Sequence, residues 1–311
     1  MANVLGELFS DIASAIRGKT GDTATMKPAE FPAKIAAIET SGGSLPTGLY
    51  WEFGAIAPPS HYYQKWFEYN GELYAFANTV ANPGNVFNVY KYADGLWSTI
   101  ISSKEINGWS SPHSYQYIEL GGLIHIVGMQ NHYVFDGTTV TVKGAIAKDT
   151  YGAASFVHDG KLKAYSYTDG AVYVWDESTD TWASEATIGS KYAYYYFFTH
   201  NGIAYATYGT KLYRYENGVA TQIATLSVDQ SQSIVHNSCL YYYFNRLSTA
   251  NFQCWSEWYK YDFSTGEEIS LGYGAFGDSN GSLTIYQNRL LYLFGNPSAK
   301  TNVGIPHEVT E

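Results

Sequence analysis

Six times along this chain an apolar strand runs into a turn of the Asn-Gly or Asp-Gly kind, and a second apolar strand leaves it. The copies are WFEYNGELYAF (Trp66–Phe76), YIELGGLIHIV (Tyr117–Val127), SFVHDGKLKAY (Ser155–Tyr165), FFTHNGIAYAT (Phe197–Thr207), SIVHNSCLYYY (Ser233–Tyr243) and LTIYQNRLLYL (Leu283–Leu293). A second phrase, aromatic–x–aromatic–acid, is interleaved with them: Tyr90-Lys-Tyr92, Tyr133-Val-Phe135-Asp136, Tyr173-Val-Trp175-Asp176, Tyr213-Arg-Tyr215-Glu216 and Tyr259-Lys-Tyr261-Asp262. Strands and turns alone, repeating about every 40 residues, predict a β-propeller.

Each copy reads as strand 1, a tight hairpin, strand 2, the aromatic strand 3 and a strand 4. Asn-Gly and Asp-Gly supply the positive φ angles that a two-residue hairpin needs. The last copy keeps only its first two strands in sequence. The tail TNVGIPHEVTE offers a strand 3 for it, and LYWEFGAIA (Leu49–Ala57), ahead of the first copy, offers a strand 4. Joining both chain ends in one blade removes an exposed sheet edge. The expected fold is all-β, a six-bladed propeller closed this way, with seven blades, one of them degenerate, as the competing count.

Residues 1–40 differ from everything after them. Leu5, Leu8, Phe9, Ile12 and Ile16 fall at helical spacing, along a seam of the kind a bundle or coiled-coil helix presents. Gly18 and Gly21 end it, and a second helix is expected to start near Pro28 or Pro32 and to bury Phe31, Ile35 and Ile38. Forty residues make too small a core to stand alone, so this helical module is expected to attach to a neighbouring protein or to oligomerise, a trimer being the expected state. Residues 41–47 have linker composition, and 48–311 form the repeat array.

A net charge of −10 over 311 residues, with no basic stripe, argues against nucleic-acid binding. Thirty tyrosines and eight tryptophans stand against 15% charged residues. Much of this aromatic surface is expected to pack between blades, and the excess to be exposed for contact. The opening MANVLGELFSD has no secretory pattern and no stretch is long enough to span a bilayer, so neither export nor membrane insertion is expected. Cys239 and Cys254 are too few for a disulfide framework and are expected to be reduced, with a bridge between them sterically conceivable.

VYVWDESTDTWASEA (Val172–Ala186) resembles the kelch repeat, with an aromatic-Asp strand 3, a polar turn and a Trp on strand 4, and Tyr261–Gly266 resembles a second instance. The kelch double glycine after strand 2 is missing. LFSDIASAIRGKTGDTATMKPAEFPAKIAAIE (Leu8–Glu39) resembles a short module near the N-termini of tail and other virion proteins of phages that infect Gram-positive bacteria. Ala15-Ile16-Arg17, Lys19-Thr20-Gly21, Met26-Lys27-Pro28 and Phe31–Ile35 carry that resemblance. It implies a virion component, assembled in the host cytoplasm, in which the helices bind other virion proteins and the propeller is displayed.

Chemistry-bearing residues mostly follow the repeat. His158, His200 and His236 share one position before the hairpin turn, which marks them as structural. Asp136, Asp176, Glu216 and Asp262 recur after strand 3, where a carboxylate holds the turn. His61, His113, His125, His132 and His307 lack ligand spacing, so neither a metal nor a cofactor is expected. No catalytic motif is present, and a non-enzymatic protein is expected; a glycan hydrolase or lyase would need two convergent carboxyls that the sequence does not single out.

The array departs from its own period at Asn78–Phe87, Ser98–Ser114, Asn245–Ser256 and Gly266–Gly281, all expected as long loops on one face. Such loops carry function on a rigid scaffold. Trp109, His113, Arg246, Phe252 and Trp255 lie there, with Tyr62 and Tyr63 at the rim, and aromatic faces beside polar groups suit sugar rings. The expected role is recognition of a host-surface glycan. The alternatives are a propeller depolymerase and a purely structural tail or head decoration.

Overall fold

The computed structural model describes the backbone of residues 49–53, 62–78, 86–105, 115–148, 150, 154–190, 192–229, 232–247, 254–274, 282–294 and 302–308. By backbone contact the chain divides into two units, 1–47 with 309–311, and 48–308. The expected helical module, with Leu5, Leu8, Phe9, Ile12, Ile16, Phe31, Ile35 and Ile38, lies outside the described residues.

The second unit is an all-β propeller whose described strands form six four-stranded antiparallel sheets. Five are consecutive meanders. After β1 (Leu49–Phe53), the first blade is β2 (Tyr62–Tyr69), β3 (Glu72–Asn78), β4 (Val86–Ala93) and β5 (Leu96–Glu105). The second is β6 (Gln116–Leu120), β7 (Leu123–Gly128), β8 (Asn131–Phe135) and β9 (Val140–Val142). The third is β10 (Ser155–His158), β11 (Lys161–Ser166), β12 (Ala171–Asp176) and β13 (Thr181–Thr187). The fourth is β14 (Tyr196–His200), β15 (Ile203–Tyr208), β16 (Lys211–Glu216) and β17 (Val219–Thr225). The fifth is β18 (Gln232–His236), β19 (Cys239–Leu247), β20 (Cys254–Asp262) and β21 (Glu268–Gly274).

The sixth sheet takes strands from both ends of the unit. β22 (Ser282–Tyr286) and β23 (Arg289–Phe294) are followed by β24 (Asn302–Glu308), and β1 closes the sheet in the order β1-β24-β23-β22. Leu49 faces Glu308 and Phe53 faces Gly304, so the first and last strands are hydrogen-bonded neighbours. Both expected closing strands fall where the sequence placed them.

All six strand 1–strand 2 turns carry two consecutive residues at positive φ, from Asn70 and Gly71 (52° and 73°) to Gln287 and Asn288 (49° and 58°). This mirror-image turn matches the right-handed twist of the strands it joins. Strand 4 meets strand 3 through a bulge in four blades, at Val89/Tyr90, Val172/Tyr173, Leu212/Tyr213 and Trp258/Tyr259. The bulge falls at the first aromatic of the aromatic–x–aromatic phrase and adds local twist, as a blade needs.

The buried side chains fall into clusters that each straddle two neighbouring blades. Phe67, Phe76 and Phe135 join the first to the second, and Val127, Leu162 and Trp175 the second to the third. Phe156, Tyr165 and Tyr215 join the third to the fourth; Leu212, Tyr242 and Tyr261 join the fourth to the fifth. Tyr243, Trp258 and Leu283 seal the fifth to the sixth, and Trp66, Leu73 and Leu291 bring the sixth back to the first. The aromatic surplus therefore packs between blades as expected, with ring pairs such as Phe156–Phe197 at 4.3 Å, each adding about 0.5–1.5 kcal/mol beyond area burial.

The turn carboxylates hold their turns as expected at three sites. Asp136 Oδ1 accepts from the amides of Thr138 and Thr139, and Asp176 Oδ1 and Asp262 Oδ1 accept from those of Ser178 and Ser264. Glu216 departs from the pattern: Asn217 and Gly218 make the turn at positive φ, and Glu216 pairs with Arg214 at 3.2 Å. Cys239 and Cys254 are not bridged to each other, because the β19–β20 register sets Cys239 against Asp262 and Cys254 against Leu247. Eight residues of strand separate those rungs, roughly 26 Å.

Candidate functional site

In an up-and-down ring, the strand 2–3 and strand 4–strand 1 connections leave on the side opposite the tight hairpins. The strand ends that flank Asn78–Phe87 and Asn245–Ser256 lie on this connection side, as do the far ends of β5 and β21 at Glu105 and Gly274. Ser98, near the start of β5, and Gly266, in the β20–β21 turn, lie toward the hairpin side instead. The segments themselves are not the plain loops expected. β5 runs to Glu105, β21 runs to Gly274, and the fifth-blade insertion continues the β19–β20 ladder through Asn245–Ser256, Arg246–Trp255 and Leu247–Cys254. A ladder satisfies backbone groups that a loop of equal length would leave to solvent, and the strand-rich sequence CWSEWYKYD favours it.

Arg246 and Trp255 are thus cross-strand partners on this extension. Tyr62 and Tyr63 open β2 at its connection-side end, where Tyr62 pairs with Asn78. Trp109, His113 and Phe252 lie outside the described residues.

The same side carries an aromatic patch the sequence reading missed, between the third and fourth blades. Tyr192, Tyr194 and Tyr208 are 68%, 47% and 41% exposed. Tyr194 stacks on Tyr167 at 5.2 Å and 16°, and Tyr208 stacks on Tyr195 at 4.9 Å and 26°. Tyr192 sits at φ 67°, a conformation bulky residues rarely hold, and its amide donates to the Tyr167 carbonyl at 2.6 Å. A second bond, from Ile188 N to Gly170 O at 2.9 Å, ties the same two connections together. The platform is therefore held by backbone, and its exposed rings present flat apolar faces. Its signal in the sequence was Tyr192-Ala-Tyr194, aromatics lying ahead of the Phe197 copy and outside every repeat position.

The six first strands enclose a central channel of about 700 Å³. Their side chains knit neighbouring inner strands together. Gln116 Oε1 accepts from Ser155 N at 2.6 Å while its Nε2 donates to Phe197 O at 3.1 Å. Thr199 Oγ1 donates to Val157 O at 2.6 Å and accepts from Val157 N at 3.2 Å. Lys65 lines the channel too, and burial pushes its ammonium down to about 8. At the hairpin-side mouth Glu68 and Glu119 border a hollow of about 550 Å³, and Glu68 accepts from Gln287 N at 2.7 Å.

Two polar networks lie inside blade interfaces. Lys163, 4% exposed, donates to both oxygens of Glu185 at 2.8 Å, and Tyr215 of the fourth blade donates to the same carboxylate at 2.8 Å. Burial raises the Glu185 carboxyl, but these bonds outweigh it and hold it below the ordinary range. The pair's charges are spent on each other. His125 Nδ1 meets His132 Nε2 at 2.9 Å, with Trp175 edge-on to both rings. Burial lowers both, His132 to about 3, so this pair is neutral. Among the described residues no cluster of three or more His, Cys, Asp or Glu could hold a metal ion.

His158, His200 and His236 behave as repeat-position residues. His158 is buried against Tyr215, and His200 and His236 contact Asn201 and Asn237 of their own turns at 3.1 and 3.0 Å.

The architecture defines a β-propeller. Its fold resembles that of YjhT, with a TM-score of 0.56 and 11% identity over 86% of this chain and 97% of that one. At that identity the likeness concerns the fold alone. No family model matches the chain, and no curated protein matches it in sequence.

Proposed function

We propose that the chain is a tail-associated structural protein of a phage virion, displaying a six-bladed, kelch-like propeller that recognises a host-surface glycan. The observation that carries this reading is the Leu8–Glu39 stretch, with its resemblance to the N-terminal module of virion proteins. On that reading residues 1–40 bind neighbouring virion proteins and oligomerise, as a trimer, and the connection side faces outward. Recognition of sugar is supported by the tyrosine platform of Tyr167, Tyr192 and Tyr194, since exposed rigid rings present C–H-complementary faces with hydroxyls at their rims.

The propeller is read as a binding module. Glu185 is committed to Lys163 and Tyr215, and Glu68 to the Gln287 amide, so neither is a carboxylate left over for acid–base work.

Gold-labelled antibody against the chain, applied to intact particles, tests the location, and adsorption in the presence of added full-length protein tests the role. Label on the tail with adsorption inhibited is the expected result. Particles that carry no label, or unimpaired adsorption at saturating protein, would reject it. Host polysaccharide incubated with the protein is expected to keep its chain length; shortening would establish the depolymerase instead.

A further inference from the structure

The six copies align on their hairpin turns, which makes an outlier visible at the channel wall. Five residues before each turn stand Lys65, Gln116, Ala154, Tyr196, Gln232 and Ser282. Lys65 is the single cation at a position that every other copy fills with a neutral residue. Its counterpart Gln116 reaches into the next blade and bonds the amide of Ser155, and the residue that corresponds to Ser155 one blade earlier is Tyr117. By repeat position Lys65 and Tyr117 are therefore counterparts of that pair, and both line the channel.

Among the described residues the Lys65 side chain has no ion-pair or hydrogen-bond partner, although it lines the channel. A charge taken out of water without a partner is costly, and natural cores avoid it. The Tyr117 hydroxyl and the Ser155 Oγ are also buried with no hydrogen-bond partner, and both residues line the same channel. Both hydroxyl oxygens are closed even to a water molecule, and the Tyr117 ring packs on Phe67 and Phe76 between the first two blades, so of the three it is the Lys65 ammonium that the channel can offer a ligand. Lys65 lies in the half nearer the connection side, since β2 runs from that side toward its hairpin. The acidic residues sit at the other end: Glu119 lines the channel, and with Glu68 it borders the hairpin-side mouth. The channel is polarised along its axis, cationic toward the connection side and acidic toward the hairpins.

We propose that this half of the channel binds a small ligand bearing a carboxylate or a phosphate, with Lys65 supplying the charge. About 700 Å³ is room for a ligand of monosaccharide size. The inference is independent of the tyrosine platform and goes beyond the glycan reading, since it concerns a different surface and a charged group.

Isothermal titration of the full chain at constant ionic strength, with inorganic phosphate, with glucuronate and with neutral glucose, tests it. Phosphate or glucuronate is expected to bind with Kd of about 1 mM or tighter, while glucose does not, and whichever acid binds more tightly tells phosphate from carboxylate. Lys65→Met and Lys65→Gln are each expected to weaken binding at least tenfold. Gln stands at this position in two of the other copies, which keeps the test readable if Lys65→Met does not fold. Failure of both acids to bind, glucose binding as well as they do, or undiminished binding by the folded variants would overturn the proposal. Tyr192→Ala is expected to keep acid binding and Lys65→Met to keep cell adsorption, so either reading can fail without the other.

Discussion

The buried histidine pair shows how far a single side chain's protonation can matter to this ring. Leu120 is the backbone partner that favours a proton on His125, while His125 Nδ1 faces His132 Nε2 at 2.9 Å. His132 then carries its proton on Nε2, and its Nδ1 is a buried acceptor with no donor. Protonating His132 would place an unmatched N–H and a charge against Trp175 and Trp182. A folded-state value below the unfolded one means that the unfolded chain takes up the proton first. The stabilisation is therefore full above about pH 6.5 and is lost as pH falls toward 3. At pH 5 the loss from His132 alone is about 2 kcal/mol, a Tm decrease of roughly 4–8 °C. His132→Phe is expected to flatten the Tm profile between pH 7 and pH 5. A variant as acid-sensitive as the wild type would remove His132 from the account.

At the scale of elements, the blades are locked to one another through contacts that admit no added atom. Gly144, just past β9, donates to Asp180 Oδ1 at 2.9 Å and accepts from Trp182 Nε1 at 3.0 Å in the next blade. A Cβ at Gly144 would lie 1.9 Å from the Asp180 carbonyl oxygen, so the two blades must part to admit it. Gly144→Ala is expected to lower stability by about 1–3 kcal/mol, read as a lower denaturation midpoint with an unchanged slope; a midpoint equal to wild type would contradict the packing described.

The hairpins, by contrast, were legible in the sequence, because a two-residue turn with positive φ favours Asn, Asp or Gly at fixed positions, and every one of the six carries at least one of them. The third-strand aromatics and the turn carboxylates Asp136, Asp176 and Asp262 were legible for the same reason. What the sequence hid are contacts between copies. His125 and His132 show no ligand spacing, and only the β7–β8 register sets them side by side. Lys65 and Tyr117 are 52 residues apart and line one channel only because the ring closes around it. The β19–β20 extension was read as a loop because its extra residues break the repeat, although their composition is that of strand.

Over the whole molecule, ring closure decides what kind of surface the chain offers. β1 and β24 complete a sheet that neither end of the array could build alone, and the Trp66 cluster seals the last blade to the first. With every blade facing a neighbour on both sides, the 48–308 unit presents two unlike ends. One is a ring of short hairpins; the other gathers the longer connections, the tyrosine platform and the cationic end of the channel. On the proposed function this second end is the one that recognises the host surface. Surface-plasmon binding of full-length protein to purified host cell-wall polysaccharide tests it most directly, comparing wild type, the double variant Tyr192→Ala/Tyr194→Ala, and Asp94→Asn in a hairpin turn on the opposite side. The account predicts roughly a tenfold or greater loss for the tyrosine variant, since two stacking rings contribute at least about 1.4 kcal/mol, and wild-type binding for Asp94→Asn. Equal binding by all three proteins, or loss confined to Asp94→Asn, would contradict it.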